Sequence, residues 1–205
     1  MPLRQPASVA GLILAAGLGR RFGAAKLMAP LRGRPMVSYP LDVAGRAHAT
    51  GLLSDLRIVV PPDDAAVTGL ARDAGATPLV NPSPEHGLSG SLRLGLRGLD
   101  AGAALVLLAD QPLVRLDVVA VLVAAWHEGL GTLIRPRYAG NPDQPSHPVL
   151  LDRSIWPLAD QLQGDMGLGH VLAAGATGVA LIDVPGSNPD VDTPADLHLL
   201  EGPTA

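Results

Sequence analysis

Residues 9–26 read VAGLILAAGLGRRFGAAK, an apolar run that leads directly into a loop rich in glycine and arginine. The apolar run is short and nearly continuous, which is typical of a strand buried on both faces of a parallel sheet. The glycines that follow let backbone N–H groups close on an anion, and the nearby cationic side chains add charge. The stretch therefore predicts an anion-binding loop at the carboxyl end of a first strand.

This loop departs from two common phosphate-binding patterns. A P-loop needs Gly-Lys-Ser/Thr directly before a helix, and the glycines here read G-x-G-x-x-x-G rather than the dinucleotide fingerprint. Asp42 has a suitable spacing for a ribose ligand but falls within a predicted helix rather than at a strand end. On spacing alone, an ordinary glycine turn with solvated arginines is the alternative.

The rest of the chain alternates between strand and helix patterns. Strands are predicted at residues 57–60, 77–80, 103–108, 132–137, 149–151 and 179–184. Helices are predicted at residues 35–49, 63–74, 89–99, 116–128 and 194–200, with two short ones within 152–174. The alternation predicts a single α/β domain over residues 1–205, with a doubly wound, mostly parallel sheet and helices on both faces. Ligands of such sheets bind at the carboxyl ends of the strands.

Composition excludes several classes of protein. The 205 residues are 47% hydrophobic and only 2% aromatic, which rules out disorder as the main state and argues against base stacking on single-stranded nucleic acid. A formal charge of −4 argues against a nucleic-acid or anionic-membrane surface. There is no cysteine, hence no disulfide, thiolate metal site or cysteine nucleophile. No targeting segment is recognisable, so we expect a cytoplasmic protein without a membrane partner.

The positive charge is concentrated near the amino terminus. Residues 1–41 carry five arginines, the chain's single lysine, Lys26, and no acidic residue. On an acidic protein, such a segment indicates a local anion site rather than a generally basic surface.

Four segments carry a resemblance to a known family. Residues 14–26 resemble the signature L-A-A-G-x-S-x-R-F-G-x-x-K of nucleotidyltransferases with a glycosyltransferase-A-like fold, most of all that of the molybdenum cofactor cytidylyltransferases and their guanylyltransferase relatives. Residues 87–96 (GLSGSLRLGL), 109–113 (ADQPL) and 190–197 (DVDTPADL) resemble further stretches of this group in the expected order. The resemblance covers essentially the whole chain.

The resemblance implies a nucleotide site in the first half of the chain, about residues 9–112. Arg21 would hold the departing β- and γ-phosphates, and Lys26 would contact the α-phosphate, where charge builds in the transition state. The implied nucleotide-binding residues are Leu14, Ala15, Ala16, Gly17, Gly19, Arg21, Lys26 and Ser89.

The resemblance also implies a Mg²⁺ site. Asp110, at the end of its predicted strand, would bind the metal, with Asp192 as the second carboxylate, and Mg²⁺ prefers such oxygen ligands together with substrate phosphates. Asp110 is thus a third catalytic candidate beside Lys26 and Arg21. The alternatives are structural: Asp110 as a turn residue, and Asp192 or Thr193 as a helix cap.

The acceptor half, about residues 113–200, departs most from the group. His147, within His-Pro-Val, would lie near the acceptor, the alternative being a loop histidine without a role. Residues 141–146 replace a Gly/Arg-rich stretch, and Gly-Asp-Met-Gly at 164–167 lacks the usual lysine. Gly19 stands where the pattern has serine, and Ser89 is alternatively an N-cap.

The expected function is transfer of a nucleoside monophosphate, with CMP from CTP favoured by the pair Ala15-Ala16, to a phosphorylated acceptor such as molybdenum cofactor, with release of pyrophosphate. Expected partners are CTP or another nucleoside triphosphate, a molybdopterin-type acceptor, and a molybdoenzyme or its maturation factor, but no nucleic acid. The alternatives are a nicotinamide-dependent reductase and a nucleotide-binding protein that delivers the cofactor.

Overall fold

A seven-stranded sheet forms the centre of the computed structural model, which describes residues 8–17, 22, 26–144, 146–166 and 178–201. The strands are β1 (Val9–Leu14), β2 (Pro30–Leu31), β3 (Arg34–Pro35), β4 (Leu56–Val60), β5 (Thr77–Val80), β6 (Ala103–Leu108), β7 (Leu133–Tyr138), β8 (Val149–Asp152) and β9 (Val179–Val184). Their order in the large sheet is β5-β4-β1-β6-β8-β7-β9. Only β8 runs antiparallel to its neighbours, so the sheet is mixed but mostly parallel, as predicted.

Helices cover both faces of this sheet. They are α1 (Ser38–Ala49), α2 (Ala65–Asp73), α3 (Gly87–Leu96), α4 (Leu116–His127) and α5 (Pro194–Glu201), with 3-10 segments at Lys26–Met28, Pro84–His86 and Arg153–Gln161. The buried residues of α1, α2 and α4 pack on one face, and those of α3 and the 3-10 segment Arg153–Gln161 pack on the other. The α/β architecture predicted from the alternating pattern is therefore confirmed.

The strand residues sort to the two faces by simple alternation. In β6, Ala103, Leu105 and Leu107 belong to the cluster under α1 and α4, while Ala104 and Val106 belong to the cluster under α3. All five are nearly inaccessible to solvent. The continuous apolar run of β6 therefore reflects burial on both sides, which is typical of an inner strand of such a sheet.

Two local predictions were wrong. The helix expected from residue 35 begins at Ser38, because residues 30–35 fold into the antiparallel hairpin β2–β3. Ser89 is not an N-cap, since α3 begins two residues earlier and the Ser89 hydroxyl donates to the carbonyl of His86. Of the two short helices expected within 152–174, one is a 3-10 helix over Arg153–Gln161, and residues 167–177 lie outside the described part of the chain.

The hairpin β2–β3 packs against the C-terminal helix α5 through a small apolar cluster. Its buried members are Leu31, Met36, Val191 and Leu197. The Arg32 guanidinium also donates to the carbonyl of Leu200, at 3.0 Å. This contact brings the segment before the hairpin close to the segment before α5.

Within the described residues, no helix has both the length and the apolar character needed to cross a bilayer.

Candidate active site

Three charged side chains from distant parts of the chain converge at one edge of the sheet. Lys26 Nζ lies 2.7 Å from Asp110 Oδ2 and 3.1 Å from Asp192 Oδ1. Lys26 begins the 3-10 segment after the glycine loop, Asp110 follows β6, and Asp192 precedes α5. The lysine side chain is only 11% exposed, whereas the carboxylates are 27% and 41% exposed. The cluster is thus closed on the lysine side and open to ligands on the carboxylate side.

Sheet topology accounts for this convergence. Because β1 and β6 are adjacent and parallel, their carboxyl ends lie at the same edge, where the amide of Ala109 donates to the carbonyl of Leu14. The segment before α5 is tied to the same edge by a backbone hydrogen bond of 3.0 Å from Val191 N to Asp110 O. Strand order therefore places the carboxyl end of β1 beside Asp110, and one backbone contact adds Asp192.

A capping interaction fixes the other end of the Asp192 segment. The Asp196 carboxylate accepts hydrogen bonds from the backbone amides of Asp192 and Thr193, and the Thr193 hydroxyl accepts from the amide of Asp196. This reciprocal arrangement is a capping box at the start of α5. It confirms Thr193 as the cap and leaves the Asp192 side chain directed to Lys26.

The electrostatics of the cluster keep Lys26 charged. Burial by itself would lower the pKa of Lys26, but the Coulombic attraction and hydrogen bonds of Asp110 and Asp192 outweigh it and raise the pKa above its ordinary value. An ammonium ion therefore offsets part of the repulsion between two neighbouring carboxylates. This ammonium belongs to the single lysine of the chain, and a compact point charge is not interchangeable with a planar guanidinium.

The two carboxylates suit a divalent cation. Both reach a single ammonium nitrogen within 3.1 Å, so their oxygens can also converge on one metal ion. Within the described residues, no three His, Cys, Asp or Glu side chains gather closely enough to hold a metal by themselves. Two carboxylates completed by water and substrate phosphates are the usual ligands of Mg²⁺.

Sequence reasoning missed a polar network beside the cluster. Gln111 Nε2 donates to Asp190 Oδ1 at 2.7 Å, and Asn188 Nδ2 donates to Gln111 Oε1 at 3.1 Å. Burial raises the pKa of Asp190, and the nearby Asp110 and Asp192 carboxylates raise it further. The available signal was Gln111 within the motif at 109–113 and Asn188 just before the motif at 190–197, but nothing in their spacing indicated that they would meet.

The predicted nucleotide-binding residues fall into two groups. Leu14, Ala15 and Ala16 are buried at the carboxyl end of β1, and Gly17 emerges at the surface with no described atom within 4 Å of a Cβ built on it. Gly19 and Arg21 lie outside the described residues. The nucleotide-binding roles of these six residues, Leu14, Ala15, Ala16, Gly17, Gly19 and Arg21, remain predictions.

Ser89 is placed differently from expectation. Its side chain is 0% exposed, and its backbone amide donates to the carbonyl of Gly164 at 3.0 Å. Its hydroxyl donates to the carbonyl of His86 at 3.3 Å, and its role in nucleotide binding stays a prediction.

His147 lies in the loop before β8, and its backbone joins the polar network. Its carbonyl accepts hydrogen bonds from Tyr138 Oη and Asn188 Nδ2, each at 3.2 Å. Burial, assisted by the positive charge of Arg135, lowers the pKa of His147 to about 4. The imidazole is thus neutral at neutral pH, so it would act on an acceptor through hydrogen bonds or packing and not as a cation.

This lowered pKa predicts an acid-dependent loss of stability. The folded protein holds His147 neutral down to about pH 4, whereas an unfolded histidine has its ordinary pKa of 6.5. The contribution of His147 to stability is therefore complete above about pH 6.5 and falls as the pH drops towards 4. In urea unfolding, the free energy of unfolding should fall less between pH 7 and pH 5 for His147→Gln than for wild type.

A matched control for this experiment is His198→Gln, whose side chain is 75% exposed. It should lose as much stability between pH 7 and pH 5 as wild type. If His147→Gln behaves like His198→Gln, the His147 imidazole is not held neutral in the folded protein.

A cavity of about 720 Å³ lies at the opposite end of the sheet. It is lined by residues including Trp126, Asp152 and Gly178, where β8 ends and β9 begins. Because Asp152 pairs with Ala103 at the start of β6, this cavity is a full strand length from Asp110. The cavity therefore lies apart from the charged cluster.

Comparison with known proteins identifies the family of the chain. Residues 11–180 match the family described as the MobA-like NTP transferase domain. The chain is 27% identical over 203 residues to the purine catabolism protein PucB of Bacillus subtilis (strain 168), covering 93% of this chain and 94% of that protein. It is 31% identical over 127 residues to a molybdenum cofactor guanylyltransferase of Rhodobacter capsulatus, covering 57% of this chain and 58% of that protein.

A solved structure extends the similarity to the whole fold. The crystal structure of Rv0371c from Mycobacterium tuberculosis H37Rv, in complex with manganese, matches with a TM-score of 0.75 at 25% identity, covering 94% of this chain and 97% of that one. The family match favours a transferase over a nicotinamide-dependent reductase. Since it spans well over half of the residues, the chain belongs to the MobA-like NTP transferase domain family and is a nucleotidyltransferase.

Proposed function

We propose that this nucleotidyltransferase transfers CMP from CTP to a phosphorylated pterin acceptor such as molybdenum cofactor, with Mg²⁺ bound by Asp110 and Asp192. The observation that carries the proposal is the convergence of these two carboxylates on Lys26 at the end of β1 and β6. Carboxylates beside an ammonium, next to a glycine loop, provide oxygen ligands for a cation and positive charge for a triphosphate.

The proposed reaction depends on charge and positioning, not on a general base. A phosphate oxygen of the acceptor attacks the α-phosphorus in line, a new P–O bond forms, the bond from the α-phosphorus to the bridging oxygen breaks, and pyrophosphate leaves. The attacking phosphate is already an anion, so no general base is needed. Positioning and charge neutralisation supply most of the catalysis.

Lys26 has the central role in this proposal. It exchanges its contacts with Asp110 and Asp192 for the α-phosphate, where negative charge develops as the new bond forms. Arg21 holds the β- and γ-phosphates that depart, and the backbone at Gly17 and Gly19 faces the triphosphate. Mg²⁺ held by the two carboxylates would offset the negative charge of the phosphates.

The choice of CTP and of a pterin acceptor rests on sequence. The Ala15-Ala16 pair resembles the cytidylyl branch of the group, and the relative from Rhodobacter capsulatus acts in molybdenum cofactor chemistry as its name states. His147 is proposed near the acceptor, and a molybdoenzyme or its maturation factor is the proposed recipient of the product. Manganese in the related Rv0371c structure supports a divalent ion as the cofactor.

The function is tested by measuring pyrophosphate release. The protein is incubated with Mg²⁺, molybdenum cofactor and each of CTP, GTP, ATP and UTP in turn. We expect release with CTP to exceed release with the other nucleotides, and to require both acceptor and metal. Release that is greatest with GTP would contradict the proposed nucleotide, and no release with any of them would contradict the proposed acceptor.

A further inference from the structure

The amides of Gln111 and Asn188 lie where the two carboxylate-bearing segments meet. We propose that these two residues are positioning residues, which hold Asp192 opposite Asp110 and thereby set the affinity of the site for a divalent cation. The inference rests on the proposed metal site but not on the identity of the nucleotide or the acceptor.

Gln111 connects the end of β6 to the segment before α5. It directly follows Asp110, and its side chain is buried at 4% exposure. Its Nε2 donates to Asp190 Oδ1 at 2.7 Å, and beside it the amide of Val191 donates to the carbonyl of Asp110 at 3.0 Å. Two hydrogen bonds in succession therefore join residues 110–111 to residues 190–191, immediately before Asp192.

Asn188 extends the connection to a third segment. It is 7% exposed, and its Nδ2 donates both to Gln111 Oε1 at 3.1 Å and to the carbonyl of His147 at 3.2 Å. The buried Tyr138 donates its hydroxyl to the same carbonyl. The segment bearing Asp192 is thus anchored to the end of β6 and to the loop before β8, and Tyr138 of β7 holds that loop in turn.

An amide is the side chain that this position requires. Gln111 must donate to a carboxylate and accept from an amide at the same time, and a primary amide does both, whereas a carboxylate only accepts when ionised. A glutamate at position 111 would place a second negative charge at Asp190. Because both amides are buried, a group that loses its hydrogen-bond partner cannot bond to water instead.

The network acts on the metal site through the two carboxylates. The two amides contact the chain beside Asp110 and Asp192. Two neighbouring carboxylates repel each other, so the segments that carry them must be held together by other bonds. Without Gln111 and Asn188, the Asp192 segment would be held to the end of β6 by fewer bonds, and a cation would find its two carboxylate ligands less firmly placed.

The test measures Mn²⁺ binding to the full chain by electron paramagnetic resonance of the free ion and by isothermal titration calorimetry. Gln111→Met and Asn188→Leu keep the approximate size of each side chain and remove its hydrogen bonds. We expect each to weaken Mn²⁺ binding by about 10-fold or more, the usual effect of removing partners that orient metal ligands. Because both residues act through one network, their effects should not add. The double variant should bind Mn²⁺ only slightly less tightly than the single variant with the lower affinity.

Two further comparisons separate positioning from general loss of structure. Gln161→Met removes an exposed amide and should bind Mn²⁺ as wild type does. Asp190→Asn keeps an oxygen that accepts from Gln111 Nε2, whereas Asp190→Leu does not, so the asparagine variant should retain clearly more affinity than the leucine variant. Both comparisons are made well below the melting temperature of every variant.

The proposal is overturned if Gln111→Met and Asn188→Leu bind Mn²⁺ with wild-type affinity, if their effects simply add in the double variant, or if wild type binds no Mn²⁺. These outcomes are independent of pyrophosphate release. If the Mn²⁺ affinities follow the expected order but no nucleotide releases pyrophosphate, the positioning role stands and the proposed reaction fails.

Discussion

Replacing Lys26 by methionine is expected to lower the rate of nucleotidyl transfer by about 10²- to 10³-fold, the usual loss when one group that stabilises transition-state charge is removed. Methionine preserves much of the length and apolar stem of the lysine and removes only the ammonium. The fold should survive, because Lys26 lies outside the two main apolar clusters under the helices.

The same variant should bind Mn²⁺ more tightly than wild type. In wild type, the ammonium lies 2.7 Å and 3.1 Å from the two carboxylate oxygens, so a cation must displace it or share them. Removing this competitor leaves the carboxylates unneutralised and raises their attraction for a divalent ion. A fall in turnover together with a gain in Mn²⁺ affinity is a combination that unfolding cannot produce.

Lys26→Arg is the matched control for charge. It keeps a positive charge but replaces a compact ammonium by a planar guanidinium, so we expect only a partial recovery of turnover. Steady-state rates at saturating nucleotide, together with Mn²⁺ titrations, measure both effects. Wild-type turnover in Lys26→Met would show that the ammonium is not part of the reaction.

Replacing Asp110 by asparagine is expected to have an effect of similar size. The amide keeps the shape of the side chain but removes one of the two negative charges that would hold the cation, so transfer should fall by about 10²-fold or more and Mn²⁺ binding should weaken. Raising the Mg²⁺ concentration should recover part of the rate, since the lost binding can be offset by mass action.

The control for Asp110→Asn is Asp73→Asn, which alters an exposed carboxylate at the end of α2. It changes the net charge by the same amount and should leave rate and metal dependence as in wild type. If Asp110→Asn shows the same dependence on Mg²⁺ as Asp73→Asn, then Asp110 does not hold the metal.

Much of the fold could be predicted because it is encoded locally. The apolar runs of β1 and β6 and their alternation with helices are visible in the sequence, and parallel pairing then brings the glycine loop and Asp110 to one edge. Asp192 was suggested by motif resemblance alone. Its contact with Lys26, across 166 positions, depends on the packing of α5 against β2–β3, which no local pattern reveals.

The features that sequence reasoning missed are those set by tertiary contacts. Ser89 looked like a cap because serine favours that position, but α3 begins at Gly87 and the Ser89 hydroxyl donates to the carbonyl of His86. Gln111 and Asn188 carry no periodic or charged signal, and their importance comes only from meeting across 77 positions.

The most direct measurement of the central claim is the position of Mn²⁺ in crystals of this protein grown with CTP, located by its anomalous scattering. The account predicts one strong peak within bonding distance of carboxylate oxygens of both Asp110 and Asp192, with the Lys26 ammonium moved from between them towards the nucleotide phosphates. A peak bound elsewhere, or a Lys26 that keeps both carboxylate contacts while nucleotide and metal are bound, would contradict it.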